Sequence, residues 1–517
     1  MLRFRSLGHG LAVALLSFLA LGVRNMLRLQ KEEIQIQAMS HRVEEHFNMS
    51  FNSAQALRNL QSAVQIPTVS GNSEAIRRFH GFLRSTYPTL HKEDKRITIE
   101  SVNELSLLYF IRGTNEELKP FLFSNHMDVV PVDGQNWSYP PFGGEIHDEF
   151  IYGRGVIDMK GQLIGILESI EVLLQFPNWS PKRSLYIALG HDEEVGGYHG
   201  SNDIARLLRS RQVSLAFLID EGLPITRKIF KHIEEDIAMI GISEKGIASF
   251  KISVTAPPGH GSMPPPLTSS SVLIKYLNSM LDSLPEASLE PPVTTFLAKI
   301  APHTPNLVMR FLFANAEYLS PILAFVMAGD HRISATVKTT VSITSLNSSS
   351  TSHNTLPETC SAILNIRIRP GNTVKQIQNW LQSLADVYES SEASVSVQTL
   401  QHDATNPVRV TADPSSQSSI YTWSYRLIQG SLKYIEPYIS NTSLLIAPNL
   451  MMANTDSYWY QKYGIVKDVY RMMCFALTKE DVRGIHGVNE RLRVKDFFNA
   501  VRFWTSFIEN ASMNQEH

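Results

Sequence analysis

Three apolar runs between residues 120 and 222 each break into acids or histidine at their C-terminal ends. PFLFSNHMDVV ends on His126 and Asp128, SLYIALGHDEE on Glu193 and Glu194, and LAFLIDEG on Asp220 and Glu221. Between the first two lies YGRGVIDMKG, with Asp158 in a glycine-flanked loop just before a long apolar segment. His126 and Asp128 are two apart at a strand end, so their side chains project to one face. Taken singly, His-x-acid triplets and acidic pairs arise by chance, and most acidic pairs lie on solvated surfaces. Asp192–Glu193–Glu194 differs because it follows a run of strand formers. A buried strand end is a costly place for three carboxylates unless a cation compensates them. Zn²⁺ and similar divalent ions take imidazole nitrogen and carboxylate oxygen. One carboxylate can bridge two such ions, and another left unligated can accept a proton from metal-bound water, whose pKa falls to about 7. The pattern therefore predicts a site for two divalent ions.

The elements that must position these groups are strands alternating with helices. Gln162 to Phe176 has Leu163, Ile166, Leu167, Ile170 and Leu174 at helical spacing. Helices are also expected over Ala54 to Val64, Ser73 to Tyr87 and Val494 to Glu509, with a hairpin over Arg96 to Arg112. This alternation predicts an α/β fold with a mostly parallel sheet, whose ligands gather at the carboxyl ends of the strands. Near residue 247 the pattern changes. Strands Ile247 to Ala256, Thr336 to Thr344, Ser361 to Ile368 and Ala393 to Leu400 interleave with helices Ser270 to Leu284 and Val374 to Val387. That order, βαββαβ, predicts an inserted ferredoxin-like domain over 247–400. The chain divides into a leader (1–27), a polar stem or connecting helix (28–53), a catalytic domain in two parts (54–246 and 401–517) and the insert between them.

With 517 residues, 43% hydrophobic and 19% charged, the chain has enough material for two cores. A formal net charge of −2 gives no reason to expect nucleic acid as a partner. Cys360 and Cys474 match neither a disulfide framework nor a CxxC metal site and read as small buried hydrophobes. Arg3 and Arg5 precede the apolar run Leu11 to Val23. That length suits a signal-peptide core, with an uncleaved anchor as the alternative, since a full span needs about 20 residues. Sequons at Asn48, Asn136, Asn347, Asn441 and Asn510, and the weaker one at Asn178, favour a secreted or lumenal glycoprotein. A membrane enters only if the N-terminal segment stays uncleaved.

NHMDVVP, YGRGVIDMKG, GHDEE and IDEG, in that order, resemble the zinc metallopeptidase family of aminoacylase, carboxypeptidase S and glutamate carboxypeptidase. The likeness continues through PGHGSMPP, HNTLP, NIRIRPG, NTDS and GIHGVNE, and covers nearly everything from residue 55 onward. LGHDEE, SEKG and IHGVNE bring it nearest to the branch of carboxypeptidase S and the secreted N-fatty-acyl-amino-acid synthase/hydrolases. The resemblance implies two Zn²⁺ ions per subunit: His126 and Asp220 on one, Glu194 and His486 on the other, Asp158 bridging. It implies that Asp128 orients His126, that Glu193 is the general base, and that His260 stabilises the oxyanion as the insert closes like a lid. Asn354 and Arg367 become candidates for the substrate carboxylate. Relatives often carry Arg after the TDS-type loop, but here Tyr458 follows Ser457.

The implied substrate is a small N-acyl amino acid or a short peptide, and the protein acts as a monomer or a homodimer. Removal of C-terminal residues from peptides is the alternative activity, and a binding ectodomain without turnover is the alternative of another class. The apolar stretch Leu307 to Met327 reads either as the lining of an acyl-chain channel or as a surface packed on the other domain or a second subunit.

Overall fold

Alternate residues of the central strands feed two separate hydrophobic clusters. Phe121, Phe123, Leu185, Ile187 and Leu189 join one, while Leu122, Tyr186, Ala188 and Leu218 join the other. A strand sends successive side chains to opposite faces, so a run with no polar residue is buried on both. Helices cover each side. Lys160–Gln175, Trp423–Ile439 and Val494–Met513 pack on the first face, and Ser201–Ser210 with Ser457–Lys462 on the second. The computed structural model describes residues 17, 19–28, 34–176, 179–227, 233–331, 333–401, 410–440 and 442–516. Most of the expected leader and the sequons at Asn178 and Asn441 lie outside them.

The central sheet has eight strands, in the order Ile97–Val102, Ser106–Ile111, Leu185–Gly190, Phe121–His126, Leu218–Thr226, Val469–Leu477, Asp236–Glu244 and Leu444–Met451. The neighbours from Leu185–Gly190 to Val469–Leu477 run parallel, as do the last two strands. The hairpin, its junction with Leu185–Gly190 and the contact between Val469–Leu477 and Asp236–Glu244 are antiparallel. The chain is thus α/β with a mostly parallel sheet. His126 pairs with Gly190, and Phe123 with Ile219. In parallel register these pairings bring the ends of Phe121–His126 and Leu185–Gly190 beside Asp220 and Glu221, although the strand that carries these two acids runs on to Thr226.

Two long helices brace these strands from behind. Ser169 Oγ in Lys160–Gln175 donates to the Val501 carbonyl of Val494–Met513 at 2.9 Å. Trp504, fully buried between Phe123, Phe503 and Phe507, anchors the contact. Truncating such a side chain to alanine costs about 3–5 kcal/mol. A small sheet of Glu145–His147, Phe150–Tyr152 and Arg491–Arg493 carries the end of the chain back to the Asp158 loop.

Gly246–Thr255, Thr340–Ser348, Thr359–Ile368 and Ser394–Thr399 form a second, wholly antiparallel sheet. Thr359–Ile368 and Gly246–Thr255 lie at its centre. Helices Ser269–Asp282 and Val374–Tyr388 pack on its Ala248, Phe250, Ile252 and Val254 face. Thr268 and Thr373 cap them, each hydroxyl accepting from a backbone N–H three residues on (3.1 and 3.2 Å). The strand expected from Thr336 starts at Thr340, because Ser334–Thr336 forms a 3-10 turn.

Two other stretches lie against this body. The segment read as a polar stem folds onto the body. His41–Ser50 is helical and buries Val43 and Phe47, and Ser40 N donates to Glu509 at 3.0 Å. Two buried apolar positions four apart suffice to dock one face of an otherwise charged helix. The stretch Leu307 to Met327 forms helices Leu307–Ala314 and Ser320–Gly329. With Val293–Ile300 their inner faces pack on Leu445, Ala447 and Leu450 at the edge of the central sheet, not on the second sheet.

Candidate metal centre

Asp158 stands between two imidazoles. Its Oδ1 lies 3.1 Å from His126 Nε2 and its Oδ2 3.0 Å from His486 Nε2. Each histidine has a second carboxylate beside it: Glu221 Oε2 is 3.6 Å from His126 Nε2, and Glu194 Oε2 is 3.3 Å from His486 Nε2. Ligand atoms of His126, Asp158 and Glu194 lie within 4.8 Å of one another, as do those of His126, Glu193 and Glu221. Bonds of 2.0–2.2 Å to a tetrahedral Zn²⁺ separate neighbouring ligand atoms by roughly 3.3–3.6 Å, which is close to these contacts. The donor set of two imidazoles and several carboxylates fits two borderline divalent ions with Asp158 shared.

The local fold explains why each group faces inward. His126 ends its strand, and its Nδ1 sits 2.9 Å from the Asp128 carbonyl. A proton on Nδ1 donated there leaves the Nε2 lone pair for a cation. The Asp128 carboxylate accepts from the backbone N–H groups of Glu193 (3.1 Å) and Glu194 (3.2 Å) and from Ser70 Oγ (2.7 Å). One acid therefore orients the imidazole through its carbonyl and the Glu193–Glu194 turn through its carboxylate. Beyond that turn, Gly197 has φ +66°, and a Cβ there would lie 2.1 Å from Asp456 Oδ1. Only glycine lets the turn lie this close to the Asp456 loop.

His486 comes from the far end of the chain through one buried ion pair. Arg154 Nη1 donates to Glu490 Oε2 at 2.8 Å, with both side chains essentially inaccessible. The same carboxylate accepts from the backbone N–H groups of Gly155 (3.0 Å), Ile157 (2.8 Å) and Asp158 (3.2 Å). Arg154 Nη2 donates to the Gly487 carbonyl at 2.9 Å. The Asp158 loop and the His486 loop are thus fastened to each other.

The electrostatics are those of a site with excess negative charge. Burial, then the neighbouring Asp158, push Glu221 well above the usual carboxylate range and raise Glu194. Burial opposes charge on His126, but Glu221, Asp128 and Asp158 outweigh it and hold the imidazole well above its ordinary value. Hydrogen bonds to Asp158 and Glu194 bring His486 up to about 10. Divalent cations would supply the positive charge that these imidazoles otherwise take up as protons.

Asp220, expected as a ligand, does not face the cluster. Its Oδ2 accepts from Ser457 N at 2.7 Å and its Oδ1 from Glu221 N at 2.9 Å. Adjacent residues on a strand point to opposite faces, and it is Glu221 that turns toward His126. Glu193, expected as the base, lies in the cluster and also lines a cleft with Asn454, Asp456, Tyr458 and Trp459. His260 lies elsewhere, exposed, with Nδ1 2.8 Å from Ser262 Oγ. Its strand Gly259–His260 pairs with Thr355–Leu356, and Gly261 N donates to the carbonyl of Asn354 at 2.7 Å, so His260 and Asn354 share one exposed ribbon. Arg367 donates from Nη1 to Asn454 Oδ1 at 3.0 Å, beside the cleft. Besides Glu221, sequence reasoning gave no role to Arg154 or Glu490. Both stand inside its motifs, but their pairing across 336 positions leaves no local signal.

The family model for peptidase family M20/M25/M40 matches residues 122–510. The chain is 34% identical over 467 residues to the N-fatty-acyl-amino acid synthase/hydrolase PM20D1 of Mus musculus, covering 88% of each. It is 30% identical over 507 residues to the probable carboxypeptidase S-like 2 of Dictyostelium discoideum, covering 96% of this chain and 92% of the other. Among solved structures, the M20 family metallo-carboxypeptidase Sso-CP2 from Sulfolobus solfataricus shares the fold, with a TM-score of 0.64 at 18% identity. That match covers 88% of this chain and 98% of the other.

Proposed function

Because the chain belongs to peptidase family M20/M25/M40, we propose that it is a di-zinc hydrolase of the secretory pathway that cleaves or forms the amide bond of N-acyl amino acids. Long-chain N-fatty-acyl amino acids are the substrates we favour. The observation that carries this reading is Asp158 shared between His126 and His486, each with its own second carboxylate, in a chain so similar to an N-fatty-acyl-amino acid synthase/hydrolase. His126, Glu221 and Asp158 would hold one ion, and His486, Glu194 and Asp158 the other. When bound, the ions polarise the amide carbonyl and lower the pKa of water.

This chain's own residues do the rest. Glu193 takes the proton from the attacking water at its carboxylate and returns it to the leaving nitrogen. Asp128 fixes the direction of both His126 and the Glu193 turn. Arg367, next to Asn454 at the cleft, receives the substrate's free carboxylate, since a guanidinium offers a two-pronged donor. His260 and Asn354, joined on one ribbon, reach the reacting carbonyl when the second sheet closes over the site, where His260 donates to the oxyanion. The same barrier is lowered in both directions, so concentrations set whether amides are made or broken. The exposed sequons at Asn48, Asn136 and Asn347 support passage through the secretory pathway.

Glu193→Gln should abolish turnover while the two-metal content, read by elemental analysis, stays at the wild-type value. Normal turnover by the variant would end this mechanism. A panel of N-acyl amino acids and dipeptides, followed by mass spectrometry, separates the main reading from carboxypeptidase action. The likeness to a carboxypeptidase S-like protein along nearly the whole chain is what favours the second. A binding ectodomain would consume none of the panel.

A further inference from the structure

We propose that helices Leu307–Ala314 and Ser320–Gly329, together with the N-terminal helix of residues 19–28 packed against them, form a face that docks onto a lipid bilayer. From Leu307 to Gly329 the charged side chains are Arg310 and Glu317 alone. Ala314, Ala316, Leu319, Leu323 and Ala324 fill the cluster beneath. The other side is open among the described residues: Phe325 is 82% exposed, Val308 67%, Leu307 66%, Val326 64% and Ile322 59%. Helices apolar on every side are ordinarily covered, and a contiguous exposed apolar patch marks an interaction surface.

The N-terminal helix indicates what covers this one. Gly22 lies against the Phe311 ring, where a Cβ would come within 2.5 Å. Asn315 Nδ2 donates to the Gly22 carbonyl at 3.2 Å, and Asn25 Nδ2 to the Ala314 carbonyl at 3.0 Å. Leu21 and Leu27 remain 61% and 71% exposed, so the helix widens the apolar face instead of capping it. Gly22 belongs to the apolar run Leu11 to Val23 that follows Arg3 and Arg5, and the docking face takes this segment as uncleaved. Among the described residues no helix is long and apolar enough to cross a membrane.

Charge separates lipid from a second copy of the chain. Arg24 and Leu27 are three apart on one helix and share a side, with Arg28 next to them, and all three are exposed. A protein cover over Leu27 would draw Arg24 into a contact where the helical pair offers one carboxylate, Glu317. At a bilayer the arginines reach back to anionic headgroups while the leucines stay in the acyl region.

The test is co-sedimentation of the full chain with vesicles of four parts phosphatidylcholine to one part phosphatidylserine. Wild type should pellet with them. Phe325→Asp combined with Val326→Asp should raise the vesicle dissociation constant at least about tenfold, with the unfolding midpoint and turnover of a short-chain, water-soluble substrate unchanged. Phe325→Ser, which adds no charge, should weaken binding by a smaller factor. The proposal falls if wild type stays in the supernatant, or if the aspartate variant binds vesicles as tightly as wild type. It falls equally if the face proves to hold two copies together, seen as a dimer that ignores vesicles and that the aspartate variant dissociates.

Discussion

Replacing Glu490 with glutamine tests whether the buried pair with Arg154 positions the metal ligands or only holds the fold. The Glu490 carboxylate accepts four hydrogen bonds, from Arg154, Gly155 N, Ile157 N and Asp158 N. Glutamine keeps one accepting oxygen and turns an NH₂ toward donors, so about two of the four bonds are lost. Each hydrogen bond to a charged group contributes about 1.5–3 kcal/mol. The total agrees with the roughly 3–5 kcal/mol expected on breaking a buried ion pair. Denaturant unfolding reads that number. Metal affinity, measured by competition with a chelator, reads the positioning, because Asp158 N and Gly487 hang on this pair. Loss of groups that orient ligands typically weakens metal binding by about 10–100-fold. Unfolding that drops by the full amount with metal affinity within twofold of wild type would refute the positioning argument. Arg154→Met should harm both readouts similarly, and Arg154→Met with Glu490→Leu should unfold less readily than either single variant, since no unpaired charge remains.

Three other outcomes follow from the same geometry. Glu221→Ala should lose metal from one site, whereas Asp220→Asn should keep the wild-type metal content, because its carboxylate is spent on the Ser457 and Glu221 N–H groups; elemental analysis of both variants decides. Burial, with Arg367 and Arg369 nearby, lowers the Lys245 ammonium from 10.5 to about 8. The fold therefore disfavours its charged form. That cost is complete below pH 8 and fades as pH rises from about 8 to 10.5, so this residue adds up to about 3 kcal/mol to stability across that window. Lys245→Met should remove this rise from the pH dependence of unfolding, even though it leaves the Ala335 and Lys338 carbonyls without their donor. Gly165→Ala should raise the unfolding free energy by about 0.5–1 kcal/mol, because a Cβ there meets Trp504 at an unstrained 3.6 Å.

The sheet and the acid-bearing strand ends were legible because their signals are local. A buried parallel strand must be apolar along its whole length, and a carboxylate at its end needs a partner. Parity was harder to read. In LIDEG either acid could point toward His126, since the apolar run before them does not say which face of the strand meets it; only the register of Phe123 with Ile219 and the Ser457 N–H that takes Asp220 decide for Glu221. Glu490 was hidden for a different reason. A buried acid is stable only with its partners, and these lie in a loop more than 330 positions earlier, so the motif holding it shows that something is needed but not what it does. Leu307 to Met327 shows the converse limit: its composition says that it must be covered, and the described residues cover one side of it.

These observations meet in how the work is divided along the chain. Residues 120–222 carry the proposed base and, with Glu221 in place of Asp220, four of the five groups proposed to hold metal. That stretch alone leaves Asp158 with one imidazole instead of two. The second depends on His486, whose loop is held by a buried salt bridge and by the short strand Arg491–Arg493. Completion of the centre is therefore coupled to docking of the C-terminal part of the chain against the first part. A chain whose last segment has come loose should keep the Asp128-braced turn and lose the shared geometry at Asp158. Cooperative loss of metal and of the Val494–Met513 packing on a single denaturation curve would follow, because Glu490 sits four residues before that helix and fastens it to the loop that carries Asp158.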